Sequence, residues 1–254
     1  MGYLHEGHLT LVDLARKHGD VVVVSIYVNP LQFGPAEDLA RYPRDLQRDA
    51  WMAEARGVDV IFAPPDEEMY SNSQPAVTVH APALADRLCG RFRPGHFEGV
   101  LTVVAKLFNI VHPHVAVFGQ KDFQQFVLVR RMCSDLSYDV EIVVAPIVRE
   151  PDGLAMSSRN VYLNAGERTA ALALSRALRA ARLRYQQGER NPQEIVRAAR
   201  DILHAESGVQ PQYLELVDAE TLDPPERVHG SNVLAVAAFV GKTRLIDNVI
   251  LGVG

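Results

Sequence analysis

The sequence is poor in cysteine and contains no long apolar run. Its 254 residues include only 2 cysteines, which is too few for a disulfide framework. No apolar stretch reaches the roughly 18 residues of a membrane span, and no signal-peptide pattern is present. Basic residues are outnumbered, since 26 Lys and Arg oppose 31 Asp and Glu, and the net charge of −5 argues against a nucleic-acid-binding surface. We therefore expect a cytoplasmic protein that binds neither membranes nor nucleic acids.

Apolar β-branched segments alternate with helical patterns along the first 145 residues. Hydrophobic residues make up 48% of the chain, enough for a sizeable core. The patterns predict strands at 21–28, 58–63, 115–118 and 140–145, and helices at 45–56, 100–111 and 123–133. Near-continuous Val and Ile strands separated by helices predict a Rossmann-like, doubly wound α/β fold with a parallel sheet. Ligands are then expected at the carboxyl ends of the strands.

The character of the sequence changes after about Pro146. A loop at 148–160 leads into two helices, which Asn164 and Asn191 are expected to cap. Strands are predicted at 213–217, 233–240 and 245–251, with the last two joined as a hairpin. We therefore predict two domains, a Rossmann-like domain over 1–147 and a smaller α+β C-terminal domain over 148–254.

A histidine pair stands at the start of the first helical pattern. His5 and His8 are three residues apart with Gly7 between them, so both imidazoles lie on one face of the first helical turn. Unpaired N–H groups and the helix dipole favour an anion at that position. Such a pair is also common on surfaces and can be half of a metal site, but no Cys/His cluster at ligand spacing completes one. We interpret the pair as part of a triphosphate site.

A strand is expected before this turn. Doubly wound domains enter their first phosphate-binding turn from a strand, whereas this sequence begins inside the turn. We therefore expect either an upstream start or a truncated chain with an exposed sheet edge where the strand would pair.

Two further loops carry residue types that bind phosphate. Lys121 follows a predicted strand, and Ser157-Ser158-Arg159 lies in the loop at 148–160. Cationic side chains and hydroxyl groups both donate to phosphate oxygens. A Ser-Ser-Arg segment alone is more typical of a polar interdomain linker. Together with the histidine pair, however, three separated segments indicate a triphosphate clamp.

Five motifs in a fixed order give the chain a resemblance to a known family. They are Met1-Gly2-Tyr3-Leu4-His5-Glu6-Gly7-His8, the segment 28–33 with Asn29-Pro30-Leu31-Gln32, Arg93-Pro94-Gly95-His96-Phe97, the segment 118–125, and the segment 152–160. With these motifs the chain resembles the pantothenate synthetases, adenylate-forming ligases of the nucleotidylyl-transferase superfamily, over nearly its whole length. The resemblance implies that pantoate attacks the α-phosphate of ATP to give pantoyl adenylate and pyrophosphate. Beta-alanine then displaces AMP to give pantothenate.

The same resemblance assigns site residues. Those implied to bind ATP are Met1, Gly2, Tyr3, Leu4, His5, Glu6, Gly7, His8, Gly119, Gln120, Lys121, Asp122, Val148, Met156, Ser157, Ser158 and Arg159. The catalytic residues among them would be His8, His5, Lys121, Ser158 and Arg159, with His8 as the proton donor. Gln32 and Gln125 would bind pantoate.

The resemblance also implies further partners. Magnesium ions would accompany ATP without a protein ligand that we can name, and the chain would form a homodimer. The domain over 1–147 would bind ATP and pantoate, and the domain over 148–254 would act as a lid.

Two other functions remain open from the sequence. An aminoacyl-tRNA synthetase fragment would share the His-rich turn and a mobile phosphate-binding loop. This chain, however, lacks a basic tRNA-binding surface and a lysine in Met156-Ser157-Ser158-Arg159. The other function is that of a nucleotide-binding remnant, which would have lost turnover together with its first strand.

Overall fold

A computed structural model of the chain describes residues 2–35, 37–70 and 75–252. Met1, the first of the residues implied to bind ATP, lies outside these ranges. Internal contacts divide the chain into two units. Unit 1 comprises Met1–Gln120 and Gln124–Pro146, and unit 2 comprises Lys121–Phe123 and Ile147–Gly254.

Unit 1 contains helices and short parallel strands. In chain order its elements are α1 (Glu6–Arg16), β1 (Val23–Ser25), α2 (Leu46–Ala55), β2 (Val60–Phe62), α3 (Asp66–Met69), α4 (Pro82–Ala85), α5 (Leu88–Phe92), α6 (His96–Val111), β3 (Val115–Gly119), α7 (Phe123–Asp135, whose first residue belongs to unit 2) and β4 (Glu141–Ala145). Strand β1 pairs in parallel with β2, and β3 pairs in parallel with β4. The prediction of a Rossmann-like α/β fold with parallel strands is thus confirmed.

The parallel strands differ from the prediction in length and continuity. β1 and β2 have three residues each, whereas the sequence patterns extend over 21–28 and 58–63. Pairing starts late because the Asp59 carboxylate, rather than a strand carbonyl, accepts the main-chain N–H of Val22 at 2.7 Å. Among the described residues no strand is hydrogen-bonded to both β1 and β3, so the strands form two two-stranded sheets rather than one continuous sheet.

Helix α6 provides much of the apolar core of unit 1. It starts at His96, four residues earlier than predicted, because Gly95 takes a left-handed φ of 78° and turns the chain into the helix. Its buried residues include Val100, Leu101 and Phe108. The helix also packs against the 3-10 turn Pro30–Gln32, which carries one of the residues implied to bind pantoate.

Unit 2 packs two helices against an antiparallel sheet. Its elements are α8 (Ala165–Gln186), α9 (Pro192–His204), β5 (Val209–Asp218), β6 (Asn232–Val240) and β7 (Thr243–Ile250), with strand order β5-β6-β7. Asn164 caps α8 as predicted, since its side chain accepts the Glu167 N–H at 2.9 Å and the Glu167 carboxylate accepts the Asn164 N–H at 3.0 Å. Small residues of α8, among them Ala173 and Ala177, are fully buried in the core of this unit. In the part of the chain that the structure describes, no helix has the length and apolar character needed to cross a membrane.

Candidate active site

The histidine pair lies at the N-terminus of α1. His5 is the N-cap in extended conformation, and the two imidazole rings have centroids 3.9 Å apart. The main-chain N–H of His5 donates to Nδ1 of His8 at 3.3 Å. Because Nδ1 accepts this hydrogen bond, a neutral His8 ring carries its proton on Nε2. His8 can therefore offer an N–H donor at a helix end that already favours negative charge.

Two neighbouring residues of α2 hold the segment that leads into α1. Asp49 is 0% exposed, and its carboxylate accepts the main-chain N–H groups of Tyr3 and Leu4, both at 2.6 Å. Arg48 donates to the Leu4 carbonyl at 2.9 Å. Tyr3 has a φ of 58°, a left-handed conformation that a non-glycine residue rarely adopts, so these contacts hold the backbone against its preference. The main chain just before His5 is thus fixed from α2.

Replacing Asp49 by asparagine is expected to loosen this segment. An asparagine keeps one acceptor oxygen but turns an NH₂ group toward the second main-chain N–H. Since a hydrogen bond to a charged group stabilises by about 1.5–3 kcal/mol, we expect a loss of that size in the free energy of unfolding, measured by urea denaturation. Asp13→Asn is the matched control, because Asp13 forms an exposed ion pair with Arg56 and its loss should have a small effect. Equal stability of the two variants would contradict the assigned role of Asp49.

Gln32 is oriented by a buried asparagine. Asn29 is 2% exposed and donates through Nδ2 to Oε1 of Gln32 at 3.3 Å and to the Gly99 carbonyl at 3.0 Å. The Tyr70 hydroxyl donates to Oδ1 of Asn29 at 3.0 Å, which fixes the Asn29 amide in this orientation. With its oxygen bound by Asn29, the Gln32 amide has its NH₂ group available to donate to a carboxylate or hydroxyl. Asn29 lies in one of the five motifs but is not among the residues implied to bind ligand, although an Asn-Pro pair is a recognisable turn-opening signal.

A three-residue network also holds the Gln32 segment. Arg93 donates to both carboxylate oxygens of Glu37, at 2.7 and 2.6 Å, and to the Gln32 carbonyl at 3.3 Å. Nδ1 of His96 lies 2.7 Å from the same carbonyl oxygen. Burial raises the pKa of Glu37, but the hydrogen bonds and charge of Arg93 outweigh this and leave the pKa below its usual value. Glu37 therefore stays ionised, and the network fixes the backbone that carries Gln32.

Gln125, the second residue implied to bind pantoate, is half-buried near the start of α7. Its neighbour Gln124 has a structural role, since it accepts the Cys89 N–H at 2.9 Å and donates to the Leu84 carbonyl at 2.9 Å. In the ranges that the structure describes, no hydrogen bond joins Gln125 to Gln32. The hydrogen bonds to Cys89 and Leu84 thus use the side chain of Gln124 and not that of Gln125.

A cavity of ≈ 400 Å³ lies at the carboxyl ends of β1 and β2. Its lining includes Gly2, Tyr27, Arg44, Asp45, Asp49 and Asp66. Burial, followed by the neighbouring Asp66 carboxylate, raises the pKa of Tyr27, so its phenol stays neutral. The strand ends thus face open space, as the parallel α/β fold predicts. From the described part of Met1–His8 and from the segment 28–33, the residues that line the cavity are Gly2, Val28 and Pro30.

Lys121 lies in the 3-10 turn that follows β3 and belongs to unit 2. Its main-chain carbonyl accepts a hydrogen bond from Nδ2 of Asn248 at 3.0 Å. Burial lowers the pKa of its ammonium group, Asp122 and Asp247 raise it, and the like charge of Arg159 lowers it. The cost of desolvating this cation would be relieved by an anionic ligand.

The loop after β4 folds back on itself within unit 2. The Met156 N–H donates to the Val148 carbonyl at 3.0 Å, and Arg149 and Ala155 form an isolated antiparallel bridge. Glu150 accepts hydrogen bonds from Asn160, at 2.7 Å, and from Arg168 of α8. The loop therefore has a fixed base.

The Ser-Ser-Arg segment follows this base. Ser157 is the N-cap of the 3-10 turn Ser158–Tyr162, and its hydroxyl oxygen accepts the Arg159 N–H at 3.2 Å. Ser158 is buried, and Arg159 is close enough to Lys121 to influence its pKa. Unit 2 thus brings two predicted phosphate-binding cations near each other.

The described site residues are divided between the two units. Unit 1 contains Gly2, Tyr3, Leu4, His5, Glu6, Gly7, His8, Gln32, Gly119, Gln120 and Gln125, whereas unit 2 contains Lys121, Asp122, Val148, Met156, Ser157, Ser158 and Arg159. Among the described residues, no group of three or more His, Cys, Asp or Glu side chains is placed to hold a metal ion.

Comparison with known families identifies the chain. The family model described as pantoate-beta-alanine ligase matches residues 1–250. The chain belongs to the pantoate-beta-alanine ligase family. Membership also makes it a ligase and removes the aminoacyl-tRNA synthetase alternative. The pantothenate synthetase of Thermotoga neapolitana is 57% identical over 252 residues, which are 99% of this chain and 90% of that protein.

Other relatives in the pantoate-beta-alanine ligase family agree. The pantothenate synthetase of Thermoanaerobacter sp. (strain X514) is 54% identical over 252 residues, 99% of this chain and 89% of that protein. The crystal structure of pantothenate synthetase from Thermus thermophilus superposes with a TM-score of 0.95 at 49% identity, covering 99% of this chain and 91% of the other. The Francisella tularensis pantoate-beta-alanine ligase, complexed with beta-gamma ATP and beta-alanine, has a TM-score of 0.81 at 33% identity, covering 100% and 88%.

Proposed function

We propose that this chain condenses (R)-pantoate with beta-alanine at the expense of ATP, giving pantothenate, AMP and pyrophosphate. The family match over residues 1–250 carries this proposal. It is supported by the Francisella tularensis relative, whose structure contains beta-gamma ATP and beta-alanine. The reaction has two steps, formation of pantoyl adenylate and its aminolysis.

In the first step the pantoate carboxylate attacks the α-phosphorus of ATP. A P–O bond forms to pantoate while the bond to the bridging oxygen of pyrophosphate breaks, so negative charge builds up on the equatorial and leaving oxygens. The carboxylate is already ionised and needs no base, and its position therefore determines much of the rate. We assign that positioning to Gln32 and Gln125. The NH₂ group of Gln32, whose oxygen is bound by Asn29, supports a role as donor to pantoate.

The residues proposed to contact ATP stabilise the charge that develops on its phosphates. In unit 1 the segment Met1–His8 provides His5 and His8, and His8 donates a proton or hydrogen bond through Nε2. In unit 2 the proposed donors are Lys121, Ser158 and Arg159. Gly119, Gln120 and Asp122 are assigned to the ribose region, Val148 to the adenine, and Met156 and Ser157 to the loop beside the phosphates.

In the second step the amine of beta-alanine attacks the acyl carbon of pantoyl adenylate. A C–N bond forms, the bond between the acyl carbon and the phosphate oxygen breaks, and AMP leaves as the amine loses a proton. Since a neutral His8 ring carries its proton on Nε2 while Nδ1 accepts a hydrogen bond, His8 can donate a hydrogen bond to the departing phosphate group, and the amine proton passes to water.

Magnesium is proposed to enter with ATP. Mg²⁺ prefers several waters and phosphate oxygens with few protein carboxylates, and Asp49 already accepts two main-chain N–H groups in the described structure. The residues present therefore suit an ion held mainly by the phosphates, where it would neutralise charge on the leaving group.

The organisation of the chain also remains a proposal. We assign ATP and pantoate binding to a domain over 1–147 and a lid function to 148–254, which the division into two compact units supports. We also propose a homodimer, which the family resemblance implies, and a cytoplasmic location, which the low cysteine content supports. Light scattering on the purified chain tests the dimer.

The test of the function is exchange of labelled pyrophosphate into ATP by the purified chain. We expect exchange that requires pantoate, and formation of equal amounts of pantothenate and AMP when beta-alanine is added. Exchange that is independent of pantoate would contradict the proposed substrate. Binding of ATP without any exchange would instead support the nucleotide-binding remnant.

A further inference from the structure

We propose that two adjacent residues of β7, Asp247 and Asn248, are positioning residues for the phosphate-binding segments of unit 2. This inference rests on the proposed function, because it assigns to Lys121 and the Ser-Ser-Arg segment a role in binding ATP phosphates. Neither residue of β7 belongs to any of the five motifs. Each is nevertheless almost fully buried and hydrogen-bonded to a segment far away in the sequence.

Asn248 holds the backbone of the Lys121 turn. It is 2% exposed, and its Nδ2 group donates to the Lys121 carbonyl at 3.0 Å. A lysine side chain is long and flexible, so the direction in which it leaves the backbone depends on how firmly that backbone is held. Fixing the carbonyl of Lys121 therefore restricts where its ammonium group can reach.

Asp247 holds the base of the loop that carries the Ser-Ser-Arg segment. It is 3% exposed and accepts two hydrogen bonds from Arg149, at 2.7 and 3.0 Å. Such a bidentate ion pair fixes the relative orientation of the guanidinium and carboxylate groups as well as their distance. Arg149 also donates to the Gly153 carbonyl at 3.2 Å and bridges to Ala155, so the ion pair connects both arms of the loop to β7.

The two contacts act on neighbouring groups. Asn248 and Asp247 are consecutive, and the segments that they hold contain Lys121 and Arg159, which repel each other. Two like charges stay close only if the surrounding structure holds them there, and the Asp247 carboxylate also offsets part of their repulsion. The single strand β7 thereby sets the relative position of two donors that the proposed reaction needs on one triphosphate. Catalytic donors must be held to within a fraction of an ångström to be effective.

The experiment compares Asn248→Leu with Asn232→Leu. Both asparagines are buried in the same sheet, but Asn232 donates to the Val217 carbonyl, at 3.5 Å, and not to a proposed phosphate-binding segment. For Asn248→Leu we expect the KM for ATP to rise and kcat of pyrophosphate exchange to fall, together by between about tenfold and about a hundredfold in kcat/KM. The KM for pantoate should change by less than about twofold, since its proposed ligands are in unit 1. Asn232→Leu should lower the melting temperature without raising the KM for ATP selectively over the KM for pantoate.

A second variant keeps the test independent of folding. Asp247→Asn preserves shape and one acceptor for Arg149, and it is expected to raise the KM for ATP selectively in the same way but by less. If Asn248→Leu and Asp247→Asn both retain the KM for ATP of the unmodified chain, or if the KM values for ATP and pantoate rise together in these variants, the positioning role is wrong. If the unmodified chain shows no pantoate-dependent exchange, the proposed function has failed. That result concerns the unmodified chain and is therefore distinguishable from the two outcomes for the variants.

Discussion

Lys121→Ala is expected to lower the rate of pantoate-dependent pyrophosphate exchange by about a hundredfold to a thousandfold, the usual cost of removing one preorganised donor. Burial lowers the pKa of the ammonium group. Triphosphate oxygens would replace the lost solvation, and the developing charge on pyrophosphate strengthens the interaction further. The removed side chain is not required for the hydrogen bond to Asn248, which uses the backbone carbonyl, so the fold should persist.

His8→Ala should give a loss of the same order. Its imidazole lies at the helix N-terminus, where the expected ligand is the same triphosphate. Circular dichroism and urea denaturation provide the control that each variant is folded. Near-normal exchange in either variant would remove that residue from its proposed role.

The pH dependence gives a separate readout for Lys121. Because burial lowers its pKa, the unliganded chain should lose this positive charge at a lower pH than an ordinary lysine does. The value of kcat/KM for ATP, which reports the free enzyme, should therefore decline on the alkaline side before the ordinary lysine range. Lys121→Arg stays charged and should shift that decline to higher pH. An unshifted profile in the arginine variant would show that another group causes the decline.

Gly99→Ala should strongly impair pantoate binding. A methyl group at Gly99 would collide with the Leu31 carbonyl group and lie 2.7 Å from the main-chain nitrogen of Gln32. Backbone atoms cannot rotate away, so either α6 or the Gln32 turn must shift, at a cost of about 1–3 kcal/mol in the free energy of unfolding. A shift of about 1 Å at Gln32 would lower kcat/KM for pantoate by about a hundredfold. Kinetics with pantoate varied at saturating ATP measure this loss.

Gly166→Ala is the matched control for this steric effect. Gly166 is also helical, in the first turn of α8, but its nearest outside atom is Oδ1 of Asn164 at 3.4 Å, an ordinary contact. Alanine favours helices over glycine by about 1 kcal/mol, so this variant should be as stable as the unmodified chain or more so. If Gly99→Ala behaves in the same way, close packing of α6 does not position Gln32.

Local patterns in the sequence are sufficient for the parallel α/β class and for most helices. Runs of Val and Ile bounded by turns predicted where β3 and β4 lie, because burial on both faces leaves a signal in each segment itself. The predicted start of β1 was wrong because Val22 donates to the side chain of Asp59, 37 residues away. The start of α6 was missed because it depends on the backbone conformation of Gly95 rather than on apolar spacing.

In the candidate site, too, local motifs could be predicted from the sequence, whereas contacts between distant residues could not. His5, His8, Gln32 and Lys121 lie in compact motifs, and their roles stay predictions that the family relationship supports. Their partners could not be predicted, since Asp49 contacts residues 45 and 46 positions away, and Asn248 contacts a residue 127 positions away. Contacts at such separations leave no periodic or motif signal in a single sequence. The sequence therefore predicts which side chains act and does not predict what holds them in place.

The positions of the two cysteines allow local unfolding of unit 1 to be measured by thiol labelling. Cys89 and Cys133 are reduced, buried and both in unit 1, whereas residues 147–254 contain no cysteine. Burial raises the pKa of Cys133, which slows its reaction with thiol reagents while the surrounding helices stay packed. The rate of thiol labelling thus follows transient exposure of α5 and α7 and ignores unfolding confined to the C-terminal sheet. Ligands that protect these thiols from reagent can be ranked by this rate without any measurement of turnover.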